Sequence, residues 1–293
     1  MAEVLRRLHI RDLFAVLVVL LFLFPLFWWV LASFKPYTAI FSRVPNYFDF
    51  AATLDNYRIA LLGVSRINLE GGIGGQTGGA SSYYSIPTII DSVVIAIGST
   101  FLAVLFATLA AYALSRFMMR AKTHLVFFIL AQRMMPPIAV AIPLFFIFRD
   151  MGLRDTHFGL IIAHTLINLP LATLLMKSFF DDVPRDLDES AMIDGATRLM
   201  VFWRIVLPLV RGGIAATAVL CFIFSWTEFL ISLQLTTSIR TIPVKITTFV
   251  TSTGTEWGLI TALGSAALVP SFIFILLVQR HLVRGLTLGS LKD

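Results

Sequence analysis

Six carboxylates fall within a short run of an otherwise apolar chain: Asp181, Asp182, Asp186, Asp188, Glu189 and Asp194. Around them stands no nucleophile with a visible base, no paired catalytic acids and no metal cluster, so the chemistry they offer is acceptance of hydrogen bonds and ion pairs. The segment 179–211 that carries them has its own grammar. Pro184 stops the preceding helix, Asp186 with Glu189 three residues later reads as a capping-box start, and Gly195 suits a left-handed helix end. Thr197 then caps a second helix in which Leu199, Phe202, Trp203 and Val206 recur at helical spacing, until Leu207-Pro208 ends it. Two short helices meeting at a glycine are expected. An amphipathic segment resting in lipid headgroups is one reading, but anionic lipid would repel the carboxylates. A protein partner fits better: the short side chains of Ser190, Ala191, Gly195 and Ala196 permit close approach, and Glu189 and Asp194 supply acceptors.

A second set of polar groups lies inside apolar runs. Burying a charge at mid-membrane costs at least about 2.5 kcal/mol, so Arg133 and Glu228 need a reason to be there. At a rise of 1.5 Å per residue they lie about 13 Å and about 24 Å from the inner ends of their spans, which makes direct pairing a long reach. Two explanations stay open for them, an interhelical or partner contact and a place on a substrate pathway. Gln132, Asn168, Ser225 and Thr227 add donors and acceptors at comparable depths. His164 reads as a satisfied core histidine, because no titratable group in the sequence is visibly paired with it. Cys221 is the only cysteine and sits in an apolar run, which rules out a disulfide framework.

The elements that must position these groups follow from composition. Of 293 residues, 58% are hydrophobic and 14% charged, and the mean hydropathy is +0.87; soluble domains carry about a quarter charged residues. Crossing about 30 Å of hydrocarbon takes roughly 20 apolar residues in a helix. Six stretches meet that length: 13–34, 90–114, 125–148, 158–176, 212–233 and 258–278. They are apolar on all sides rather than alternating, which predicts an all-α polytopic membrane protein, one transmembrane domain, and not a barrel. With both termini inside, fourteen basic residues lie in cytoplasmic segments against eight outside, half of those in one long loop. The loop 35–88 is then external, 179–211 cytoplasmic, and 279–293 a cytoplasmic tail. The net charge of +6 follows this topology; no stretch interleaves basic and aromatic residues as nucleic-acid binding requires.

The outer loop contains GGIGGQTGG at 71–79. No Lys-Ser or Lys-Thr follows it and no strand precedes it, so it reads as a flexible loop insertion and not as a phosphate cradle. No P-loop occurs anywhere in the sequence. The chain is expected to hold no cofactor, and any ATP and Mg would be bound by a partner.

ESAMIDGATRLMVFWRIVLPL, residues 189–209, resembles the EAA motif of bacterial ATP-binding cassette importer permeases, in which Glu-Ala-Ala is followed by glycine and then Leu-Pro. Glu189, Ala191, Gly195, Leu207 and Pro208 match in order, and Asp194 before the glycine is typical of the carbohydrate branch. RMMPPIAVAIPLFFIFRDMGLRDT (133–156), SWTEF (225–229) and RGLTLGSLKD (284–293) resemble further segments of the maltose-type sugar permeases, in particular their second, six-span subunit. Ser190 replaces an alanine, Thr227 replaces an asparagine, and Arg211-Gly212 stands where Pro-Gly is common.

The resemblance implies a type I importer permease fold in the bacterial cytoplasmic membrane, with a coupling-helix loop that docks on ATPase subunits. It also implies the partners: a homologous permease subunit, two copies of an ABC ATPase, and an extracytoplasmic solute-binding protein that delivers a sugar, sugar alcohol or similar polar solute. The chain itself would not be an enzyme. Glu189, Ser190, Ala191, Asp194, Gly195, Ala196, Leu207 and Pro208 are the expected coupling residues; Gln132, Arg133, Asn168, Ser225, Thr227 and Glu228 are candidates for the substrate path. The alternative is an ion-coupled secondary transporter, which requires inverted repeats and a paired titratable relay that the sequence does not display.

Overall fold

The computed structural model describes residues 10–44, 47–64, 83–252 and 254–289. The Gly-rich stretch read as a loop insertion lies outside them from 65 to 82, as do the last four residues of the tail. Helices account for nearly all regular structure: α1 (Ile10–Ser33), α2 (Asp55–Leu62), α3 (Ile86–Arg116), α4 (Lys122–Met134), α5 (Pro137–Asp150), α6 (His157–Asp181), α7 (Asp186–Ile193), α8 (Arg198–Leu209), α9 (Arg211–Trp226), α10 (Leu230–Leu235), α11 (Ile242–Thr247) and α12 (Trp257–Gly289). Among the described residues the strands are two short ones, β1 (Val250–Thr251) and β2 (Gly254–Thr255), paired antiparallel with Val250 opposite Thr255.

Four helices, α1, α3, α6 and α12, are long and apolar enough to cross a membrane, and the bent pairs α4/α5 and α8/α9 bring the number to as many as six. The run 125–148 is not one continuous helix: it turns by 96° between α4 and α5. Pro136 and Pro137 explain the break. Neither can donate to the helical ladder, and each pushes the residue before it out of the α region; Met135 is accordingly extended, at φ −68° and ψ 133°. The run 212–233 is also interrupted. α9 stops at Trp226 and α10 resumes at Leu230.

The described residues form two compact units. In the unit formed by residues up to 87 and by 245–268, the buried Asn56 amide donates to the carbonyls of Ser33 at 2.9 Å and Lys35 at 2.8 Å, tying α2 to the end of α1. Nearby, the Ser33 hydroxyl and the Tyr57 phenol lie 2.7 Å apart. α1 itself is bare: its most apolar window is 0% buried. Such a continuous apolar surface is stable against lipid or another apolar helix and not against water.

The unit formed by 88–244 and the chain after 268 is built on α3, α6 and α9. Ala103, Ala107 and Ala111 recur every fourth residue on α3 and meet Ala172, Met176 and Phe180 of α6 and Cys221 of α9. Small residues at this spacing let helix backbones approach closely, the usual mode of helix association in membranes. A second cluster joins Ile95 of α3, Ala141, Leu144 and Phe148 of α5, Leu160 and Ala163 of α6, and Ile231 and Leu235 of α10.

Candidate functional site

The acidic segment folds as two short helices at a glycine. Gly195 has φ +87°, a conformation that costs an L side chain about 1–2 kcal/mol, and it ends α7 with its amide bonded to the Met192 carbonyl. Thr197 caps α8, its hydroxyl accepting from the Met200 amide at 3.3 Å. The capping box at Asp186 and Glu189 does not form. Arg185 occupies the N-cap position, in helical conformation and without a side-chain cap bond, so Asp186 falls inside the first turn, where its charge favours the helix dipole instead. α8 also runs past Leu207-Pro208 to Leu209, through a wide π-helical turn at Phe202–Val206. The helix ends there, one residue after Pro208, and the chain turns by 71° into α9.

The segment has two faces. Glu189, Ser190, Asp194, Gly195 and Pro208 are exposed, together with Ile193, Leu199 and Trp203. Ala191, Ala196 and Leu207 are half-buried against the chain's own core, which includes Val201, Phe202 and Val206. Tyr112 of α3 anchors that core, with its ring 4.6 Å from Phe202 and 5.6 Å from Phe180. The carboxylates do not act as one patch. Asp188 turns inward to an ion pair with Arg116, Nε to Oδ2 2.8 Å, and Asp181 accepts from Ser115 at 2.6 Å and pairs with Lys177. Spacing gives no sign of Arg116 or Ser115, which come from α3, whereas Lys177 and Asp181 are an i,i+4 pair on one helix face.

The groups inside the apolar runs divide as well. Ser225 and Asn168 are buried in helix packing: the Asn168 amide donates to the Cys221 carbonyl at 3.3 Å, and Ser225 lies 2.9 Å from Ser99 and 2.7 Å from His164 Nδ1. Gln132, Arg133 and Thr227 are exposed; the Thr227 hydroxyl donates back to the Ile223 carbonyl. Glu228 does not pair with Arg133. Its carboxylate accepts from the amides of Ile231 at 2.7 Å and Ser232 at 2.9 Å and from the Ser232 hydroxyl at 2.8 Å, capping α10 at the break after Trp226. His164 Nε2 lies 3.5 Å from the same carboxylate and 3.0 Å from the Ser232 oxygen. His164 is thus a satisfied core histidine that also has a titratable neighbour, which its sequence context did not disclose. Arg133 forms no ion pair among the described residues and instead lies over the Phe224 ring at 5.0 Å.

One further acid ties two loops together. Asp155, at φ +56°, accepts hydrogen bonds from the amides of Thr237, Ser238 and Ile239 and from the Thr237 and Ser238 hydroxyls. Partial burial pushes its carboxyl up, but the Ser238 hydroxyl and the three amides outweigh it and hold the group well below the usual carboxylate range. Among the described residues no group of three His, Cys, Asp or Glu side chains is placed to hold a metal.

The chain that builds this arrangement is similar to known proteins. Residues 103–288 match the family of binding-protein-dependent transport system inner membrane components. The chain is 33% identical over 294 residues to the trehalose/maltose transport system permease protein MalG of Thermococcus litoralis, covering 99% of this chain and 98% of that protein. It is 32% identical over 272 residues to the sulfoquinovosyl glycerol transport system permease protein SmoH of Agrobacterium fabrum, covering 92% and 89%. A chain in the crystal structure of a bacterial ABC transporter involved in the import of the acidic polysaccharide alginate superposes with a TM-score of 0.67 at 20% identity, over 92% of this chain and 94% of that one. That last likeness concerns the fold, which is the type I importer permease fold. A family match across the bundle and the acidic segment, with relatives aligned nearly end to end, makes this integral inner membrane protein a member of the carbohydrate ABC importer permeases.

Proposed function

We propose that the chain forms one half of the pore of an ATP-driven importer for a sugar, a sugar alcohol or a similar polar solute, and that α7 and α8 are its coupling helices. The observation that carries the reading is the two-faced acidic segment. One face, with Glu189, Ser190, Asp194 and Gly195, is open to a partner, and the other is packed on α3 and α6. A surface exposed on one side and fixed to membrane helices on the other transmits movement from a docked partner into those helices.

In this reading ATP and Mg stay in a pair of ATPase subunits, and this chain does no hydrolysis. A homologous permease supplies the other half of the pore, and an extracytoplasmic binding protein delivers the solute. Both termini and the segment 179–211 lie on the cytoplasmic side. When the ATPases close, α7 and α8 follow, and the breaks at Pro136-Pro137 and Thr227–Phe229 provide the places where helices bend. The trehalose/maltose and sulfoquinovosyl glycerol relatives support a carbohydrate class of solute. Arg133, Gln132 and Thr227, exposed beside the two breaks, are the candidates for solute contact.

The test is solute-stimulated ATP hydrolysis by the reconstituted complex with Gly195→Asp and Gly195→Ala. A Cβ at Gly195 meets nothing within 4 Å, so neither variant disturbs the chain's own packing beyond the strained backbone. Loss of ATPase binding or of stimulated turnover in Gly195→Asp, with a smaller loss in Gly195→Ala, supports docking through this surface. Unchanged stimulation and uptake in both would sink it.

A further inference from the structure

α7 leans on the core through the half-buried Ala191, and its tie to the end of α3 is a charge. Asp188 is the only buried residue of this helix, while Leu187, Met192 and Ile193 are exposed. We infer that Arg116 and Asp188 form the joint through which the coupling helix moves α3, and that both are positioning residues for energy coupling. This rests on the docking reading above.

The geometry is that of a clamp. Arg116 is the last residue of α3. Its Nε lies 2.8 Å from Asp188 Oδ2 as an ion pair without hydrogen-bond alignment, and its Nη2 donates to Asp188 Oδ1 at 3.5 Å. The same Nη2 donates to the Val183 carbonyl at 3.0 Å, and Arg185 returns a bond to the Ser115 carbonyl at 2.7 Å. The paired side chains keep 7% and 10% exposure. Arg185, Arg198 and Glu189 line the same cleft, so two carboxylates and three guanidinium groups converge there, and Asp188 is the buried acid of the two.

A paired charge at this place differs in kind from an apolar contact. Apolar surfaces slide past one another at little cost, whereas separating a buried ion pair strands both charges. α3 has 31 residues and is about 46 Å long at the helical rise. A fixed joint at its end turns a displacement of α7 into a tilt of the whole helix. Without the pair, α7 would remain docked on its partner by its exposed face and slip against α3.

The experiment uses the complete complex in liposomes and reads solute moved per ATP hydrolysed. Asp188→Asn keeps the shape and removes the charge. With ATPase subunits still bound, it should lower the ratio by about tenfold, within the range of coupling between residues in contact, and the exchange Arg116→Asp/Asp188→Arg should recover a measurable part of it. A ratio within about twofold of wild type in assembled Asp188→Asn overturns the joint. If Asp188→Asn does not assemble, the exchanged pair decides: restored assembly with a restored ratio supports the joint, and any other result overturns it.

A second readout follows the movement itself. Spin labels at the exposed Met118 and Asp186 flank the pair, and the single native cysteine, Cys221, is buried. Wild type should give one narrow distance with and without trapped ATP, and Asp188→Asn a broadened one; a wild-type distance that differs between the two states overturns the proposal. Gly195→Asp separates the two claims. If it is harmless, the docking reading fails; if it is harmful while Asp188→Asn is harmless, only the joint fails.

Discussion

His164 and Glu228 meet inside the bundle, Nε2 to Oε2 3.5 Å, across the point where α9 gives way to α10. The Ser232 hydroxyl donates to Glu228, so Nε2 faces acceptor oxygens and carries the ring proton. On its other side, Nδ1 reaches Ser225 and, beyond it, Ser99 of α3. The helix break is therefore fixed by side chains from α3, α6 and α10 together. Removing the ring in His164→Ala should cost about 2–3 kcal/mol, because buried hydroxyls lose partners. Glu228→Gln should cost about 1–3 kcal/mol, since its amide nitrogen would face the Ser232 amide. Thermal unfolding in detergent checks both, and a loss below about 0.5 kcal/mol would mean that the network holds little.

Asp155 gives a pH dependence with a definite sign. Its folded carboxyl lies below its ordinary value of 3.8, so the stability it contributes is present above that value and is lost as pH falls through the folded one. Wild type should therefore lose thermal stability below about pH 4, and Asp155→Asn should show a flatter profile there and lose about 1 kcal/mol at neutral pH, a figure reduced for solvent screening. Asparagine also tolerates positive φ, so the backbone is kept. Parallel pH profiles for the two proteins would refute the assignment.

Gly213 lies flat against a ring. A Cβ there would meet Phe179 Cγ at 2.3 Å and Cδ2 at 2.5 Å, and a phenyl ring packed between helices cannot swing its near edge aside. Gly213→Ala should push α6 and α9 apart and cost about 1–3 kcal/mol. Gly98→Ala is the control, because there the nearest atom is the Cδ1 end of Ile161, at 2.9 Å. Equal melting losses in the two variants would contradict this distinction.

Thr197 should be replaceable by serine and not by alanine. Loss of its bond to the Met200 amide should cost about 0.5–2 kcal/mol, and the effect should appear as faster amide exchange in the first turn of α8. Exchange rates unchanged in Thr197→Ala would show that the cap does not hold that turn.

Asn56 offers a test in the other unit. Both of its donated bonds, to Ser33 and Lys35, vanish in the near-isosteric Asn56→Asp, which sets a carboxylate against two carbonyls. A loss of about 2–4 kcal/mol is expected, larger than for Asn56→Ala, because repulsion adds to the missing bonds. Denaturation of the purified chain orders the two variants, and the reverse order would contradict the geometry.

The sequence by itself determined those features that depend on neighbours along the chain. Apolar runs longer than a bilayer's thickness, a glycine needing positive φ at 195, a threonine cap at 197 and the helical recurrence of Leu199, Phe202 and Val206 are all local, and each is visible as a residue type at a spacing. The position of a break was half legible: Pro136-Pro137 announces one, whereas the stop after Trp226 has no proline or glycine to mark it and depends on Glu228 capping the helix that follows. Which charges pair across elements was decided only by the tertiary structure. Asp188 and Glu189 are adjacent and chemically alike, yet one is buried against Arg116 at the end of α3 and the other is exposed, because α7 is seated with one face inward. In the same way, Glu228 meets His164 and not Arg133. Hydropathy places each residue at a depth along its helix, but the rotation of that helix is fixed by packing against its neighbours, and rotation decides which side chains meet.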